Sequence, residues 1–172
     1  DEEWNDLISY FQQKDNLDLI YEDPHNFTVN SSSFKAGERI AEMGACINCH
    51  FYGAEKPKQD ALTWAPNLVL TKERLRPEWL VEWFINPQDV MPGTKMPAPY
   101  IPTEEPQNSI REVWGSDVAK ISRDSTKLYK SLIDWMWGME GRKDVSSIVK
   151  RHLNSQGYGF IIEEEDDWGD EW

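Results

Sequence analysis

Cys46-Ile47-Asn48-Cys49-His50 holds both cysteines of a 172-residue chain and one of its three histidines. Two thiols separated by two residues, with a histidine directly after them, suit the covalent attachment of a haem. Each thiol adds across one vinyl group to form a thioether, the two intervening residues span the distance between the vinyls, and the imidazole falls under the iron as its proximal ligand. Other chemistries fit less well. A structural zinc ion takes four nitrogen or sulfur ligands, and beyond the pentapeptide only His25 and His152 remain. A thioredoxin-like redox pair belongs at a strand-to-helix junction, whereas this motif closes a helical pattern. The expectation is one haem c, covalent through Cys46 and Cys49, with His50 on the metal.

Helices must carry that motif. Residues 34–44 read as a first core helix with Ser33 as its N-cap; Ile40 and Met43 face inward, and Gly37 lets a second helix approach closely. Residues 51–63 have no clear period and read as loop. Arg76-Pro77-Glu78 opens another helix, with proline suited to the first turn. Trp79, Leu80, Trp83 and Phe84 form its apolar stripe, and Asn86-Pro87 ends it. The proline-rich stretch 91–106 is expected to lack regular structure. A last core helix spans 124–138 with Leu128, Leu132, Ile133, Trp135 and Met136. With no internal repeat and no sustained strand alternation, the predicted class is all-α.

Two extensions flank this core. Residues 1–33 form an N-terminal extension and linker. Trp4, Leu7, Ile8 and Phe11 stand at helical spacing there, ahead of a polar strap containing Pro24. The N-x-[ST] matches at Asn26 and Asn30 are short enough to be incidental. Residues 141–172 form a C-terminal extension ending in an acidic tail.

The formal net charge is −13, and seven of the acidic residues fall within 163–172, so the rest of the chain carries −6. An acidic surface repels nucleic acid and anionic lipid, which removes both as expected partners. No apolar run approaches the ~20 residues that span a bilayer. The opening DEEWNDL is polar and acidic, without the pattern of a signal peptide, so Asp1 reads as the start of a mature or excised chain.

A haem held by one histidine leaves a second axial position, and Pro92-Gly93-Thr94-Lys95-Met96-Pro97 offers the best candidate for it. A thioether is a soft, uncharged ligand that favours ferrous iron, and a proline-flanked loop can hold its sulfur in both oxidation states. Met91 on the same loop, His152 and His25 are the weaker alternatives; an open sixth position is another.

A helix leading into CINCH, then Ala65-Pro66-Asn67-Leu68, then RLRPEWLVEWFINP, then MPGTKMP, then a further helix: this order resembles the class I cytochrome c family over roughly residues 34–140. The resemblance implies a cytochrome c-like helical fold around one haem, with the 34–44 and 124–138 helices crossing. It implies Met96 as distal ligand, the Pro66 carbonyl as acceptor for the His50 Nδ1–H, and Arg74 and Trp83 near the haem propionates. Because haem of this kind is attached outside the cytoplasm, it also implies a periplasmic or otherwise extracytoplasmic location. The chain departs from the family pattern in three ways. Ala41 stands where an aromatic is common, so packing there must be compensated by Trp135 or Met136. The connection from Met96 to the last helix is long and contains Val113-Trp114-Gly115, read as an ordinary loop anchor. The two extensions are the third departure.

With no nucleotide loop, paired metal cluster or nucleophile motif in the chain, the expected role is single-electron transfer rather than catalysis. The chain then serves as a carrier or as the electron-transfer subunit of a larger redox complex. Its expected partners are redox proteins, including neighbouring subunits of a membrane respiratory or photosynthetic complex. An open sixth position would instead direct the domain to peroxide or gas chemistry.

Overall fold

The computed structural model describes residues 2–15 and 28–159. Pro24, His25 and Asn26 of the linker and the acidic tail lie outside the described residues. Those that are described are helical with almost no strand: the sole extended pairings among them are isolated bridges, His50 with Ala65 and Tyr52 with Glu55. The expected all-α class is what the backbone adopts.

Helix α1 (Glu2–Asp15) covers the stretch where Trp4, Leu7, Ile8 and Phe11 stand at helical spacing, with Trp4, Leu7 and Ile8 exposed. Helix α2 (Ser32–Met43) starts earlier than expected, because Ser31 rather than Ser33 is the cap: its Oγ accepts from the Phe34 N–H at 3.1 Å. Three consecutive serines are equally able chemically, and the chosen one buries Ala36, Gly37, Ile40 and Ala41 together. The inward expectation for Met43 fails; its side chain is exposed. A stripe through 36, 37, 40 and 41 continues to 44 at 100° per residue and leaves 43 at its edge.

Three short helices come next: α3 (Thr71–Arg74), α4 (Pro77–Ile85) with proline in its first turn, and α5 (Pro87–Val90). The stretch 91–106 has no helix, as its prolines require. The long connection that follows is not loop but two helices, α6 (Gln107–Trp114) and α7 (Ser116–Ile121), parted by Gly115 at φ 91°. Trp114 is indeed an anchor. It joins Ile110 and Val118 in the core, and each such burial contributes about 1.5–3 kcal/mol.

Helix α8 (Ser125–Trp137) is capped by Asp124, whose carboxylate accepts from the Lys127 N–H at 3.1 Å, and it ends at Gly138. It is the central element, packed by α2, α4 and α7, and every residue from Ser131 to Trp137 is buried. Its tightest contact is with α2. A Cβ on Gly37 would lie 1.8 Å from the Ser131 carbonyl oxygen, so only glycine lets the two backbones meet. With Ala41 small, Trp135 and Met136 are both buried in the same core cluster. A final helix, α9 (Ser146–Ser155), occupies part of the C-terminal extension, where no helix was expected. Among the described residues no helix is long and apolar enough to cross a membrane.

Candidate functional site

Gly44 ends α2 and Ala45 takes the left-handed conformation at φ 53°, which turns the chain sharply into Cys46. The motif then winds as a 3₁₀ turn, Cys46–Asn48, closed by the Cys49 N–H donating to the Cys46 carbonyl at 3.2 Å, and the His50 N–H donates to the same carbonyl at 2.9 Å. The helix therefore stops just before the motif, and both cysteines stand on one tight turn, Cys46 opening it and Cys49 capping it. Both cysteines are free and half-buried. Cys46 is held protonated: burial pushes its thiol up to about 11, with a hydrogen bond to Tyr52 opposing the shift. The Tyr52 phenol is likewise raised, first by its own burial, and its ring lies against Trp135 at 5.2 Å.

His50 is fixed by the loop that follows. The Ala65 N–H donates to the Cys49 carbonyl at 2.7 Å and the Leu68 N–H to the Phe51 carbonyl at 3.0 Å, so residues 65–68 run alongside the motif. This places the Pro66 carbonyl 2.8 Å from His50 Nδ1. A carbonyl can only accept, so Nδ1 carries the proton and Nε2 keeps its lone pair for a metal. Burial also lowers the His50 pKa, against the pull of the Pro66 carbonyl, which favours the neutral ligand form.

Met96 borders the same core cluster as Cys46 and Tyr52. Its loop is stapled by α5: Gln88 donates to the Thr94 carbonyl and accepts from the Gly93 N–H at 3.1 Å, with Gly93 at φ 88°. The Lys95 ammonium reaches the Leu62 carbonyl at 3.4 Å, joining this loop to the one beyond Cys49. The Met96 sulfur accepts from the Trp83 indole N–H at 2.8 Å, and Trp83 stacks on Trp79 at 5.0 Å. Met91, by contrast, is 55% exposed.

The structure thus brings Pro66 to His50 and Trp83 to Met96. Arg74 stands exposed at the end of α3. Trp83, which the resemblance put near the haem propionates, directs its indole N–H at the Met96 thioether. Sequence reasoning passed over Tyr52 and Gln88, and also Asn67, which is 4% exposed and bonded to three chain segments. Only the frequency of asparagine as a turn and cap residue hinted at the last.

No cluster of three or more His, Cys, Asp or Glu residues able to hold a metal occurs among the described residues. The donor set present comprises two half-buried thiols on one turn, an imidazole with its tautomer fixed, and a thioether carried on a pinned loop. That set fits a covalently held haem. A separate cleft of about 390 Å³ lies between α2 and the α6–α7 junction; of its lining residues, Arg39 pairs with Glu42 and Asp117 with Lys120. Comparison with protein families, curated proteins and solved structures finds no match to this chain.

Proposed function

We propose that this chain is a c-type cytochrome of the class I kind, binding one haem through Cys46 and Cys49, with His50 and Met96 as axial ligands, and that it transfers single electrons. The observation that carries the reading is the 2.8 Å contact between His50 Nδ1 and the Pro66 carbonyl beside two free thiols. It leaves Nε2 available at the one place where both thioethers could also form. When bound, the haem supplies a one-electron iron couple.

The protein's own part is to hold the ligands still. Two backbone bonds register the 65–68 loop on the motif, and Pro66 sets the imidazole plane. Gln88 and Thr94 hold the methionine loop, and Trp83 directs the sulfur. Ligands fixed in both oxidation states leave little to reorganise, which favours rapid electron transfer over substrate chemistry. The crossing of α2 and α8 at Gly37 supports the cytochrome c-like fold. An extracytoplasmic location and redox-protein partners, as a free carrier or within a larger complex, belong to the same proposal.

The test is the visible spectrum of the purified protein, ferric and reduced, with and without carbon monoxide. A sharp low-spin ferrous spectrum that carbon monoxide leaves unchanged is expected. A high-spin spectrum, or rapid carbon monoxide binding, would reject Met96 ligation and favour peroxide or gas chemistry.

A further inference from the structure

The C-terminal segment returns to the loop that holds His50, and it does so on both sides of Pro66. On one side is Trp64. Its indole N–H donates to the Gln59 carbonyl at 3.1 Å, and its ring meets Phe51, the residue after His50, edge-on at 5.2 Å. The His152 ring of α9 also packs on Trp64, with centroids 4.7 Å apart. On the other side is Asn67. Its Oδ1 accepts from the Gly53 N–H at 3.0 Å and the Val69 N–H at 3.3 Å. Its Nδ2 donates to the Gly53 carbonyl at 3.3 Å, the Arg142 carbonyl at 2.9 Å and the Lys143 carbonyl at 3.2 Å.

Both polar atoms of the Asn67 amide are therefore used, and two of its four partner residues lie in the C-terminal segment. That segment is itself seated: Lys143 pairs with Glu73 of α3, and Gly141 touches Gly53 backbone to backbone. A Cβ at either glycine would come within 3.6 Å of the other's Cα.

Proline fixes its own φ, so the direction of the Pro66 carbonyl depends on the peptide plane it shares with the Asn67 nitrogen. Whatever holds Asn67 and Trp64 holds that plane. We infer that residues 141–155 form a clamp on the proximal loop, with Asn67, Trp64 and His152 as positioning residues that keep the Pro66 carbonyl on the His50 Nδ1–H. This rests on the haem reading above. A firm Nδ1–H···O=C bond makes the imidazole a stronger donor and stabilises ferric iron, so a loosened clamp raises the reduction potential.

The test uses the full haem-loaded chain with His152→Ala, His152→Phe and Asn67→Ala, measuring midpoint potential and exchange of the His50 Nδ1–H by NMR. His152→Ala is expected to raise the potential and speed exchange severalfold; His152→Phe, which keeps a ring against Trp64, is expected to restore both. Asn67→Ala should speed exchange about tenfold or more, the equivalent of ~1.4 kcal/mol of lost protection. If that variant fails to fold, the His152 pair decides. Ordinary packing would lower the denaturation midpoint in His152→Ala while leaving potential and exchange at wild-type values, and that result overturns the clamp. A purified chain lacking covalent haem overturns the functional reading itself, and the spectrum reveals this before any variant is compared.

Discussion

The indole N–H of Trp83 donates to the sulfur of Met96 at 2.8 Å, linking the last turn of α4 to the loop expected to supply the distal ligand. A donor on a thioether draws electron density from the lone pair that a metal would share. The sulfur then supports ferric iron less well than ferrous iron, so the bond raises the potential. Trp83→Phe is expected to lower the midpoint potential by about 20–60 mV. That range follows from the ~0.5–1.5 kcal/mol of one hydrogen bond at 59 mV per tenfold for one electron. Protein-film voltammetry measures it, and an unchanged or raised potential would reject the role.

Two methionines five residues apart compete for the same assignment, and their settings differ. Met91 is exposed, with its backbone committed to closing α5 through the Pro87 carbonyl. Met96 is half-buried against the core and receives the Trp83 N–H. Met91→Ala is expected to leave the low-spin spectrum intact, whereas Met96→Ala should open the sixth position and let reduced protein bind carbon monoxide. The reverse pattern would move the ligand to Met91.

How far these relationships can be read from the chain alone depends on their reach. The pentapeptide is legible because the chemistry lies within five consecutive residues, and the Pro66 contact because a resemblance supplied it. Gly37 was legible as a close-approach site since a helix has few other uses for a mid-sequence glycine. The Trp83–Met96 bond was not, because it depends on how α5 and a proline-rich loop fold back, which no local period encodes. Helices α6 and α7 are short and broken by Gly115, so neither shows a sustained stripe. Helix α9 and its N-cap carry Val145, Ile148, Val149 and Leu153 at helical spacing, a stripe that the reading of this segment as an extension passed over, and the helix buries no residue fully. The partners of Asn67 at 142 and 143 lie 75 and 76 residues away.

The Gly37–Ser131 approach makes a sharp steric prediction. Gly37→Ala places a methyl 1.8 Å from a backbone oxygen of α8, which no rotamer change can relieve, so the helices must part. Overpacking of this kind costs about 1–3 kcal/mol or more, and a loss at the upper end is expected in urea denaturation of the haem-loaded protein. Wild-type stability in that variant would mean that α2 and α8 do not cross there.

Asp124 gives the acid side of the stability curve a defined contributor. The backbone N–H of Lys127, and then the Lys127 side chain, hold its carboxyl below the usual carboxylate range. A carboxylate whose folded value is depressed contributes stability above its ordinary value, and that contribution is lost as pH falls through the folded value. Asp124→Asn retains an oxygen to accept from the Lys127 N–H but cannot titrate. Near neutral pH the variant should be slightly less stable, because a neutral cap interacts less with the positive end of the helix. Between about pH 5 and pH 2 it should lose less stability than wild type, so the two denaturation curves converge as the wild-type cap is protonated. Urea midpoints measured across that window decide the point: parallel loss in both proteins would show that the Asp124 charge plays no part in the acid transition.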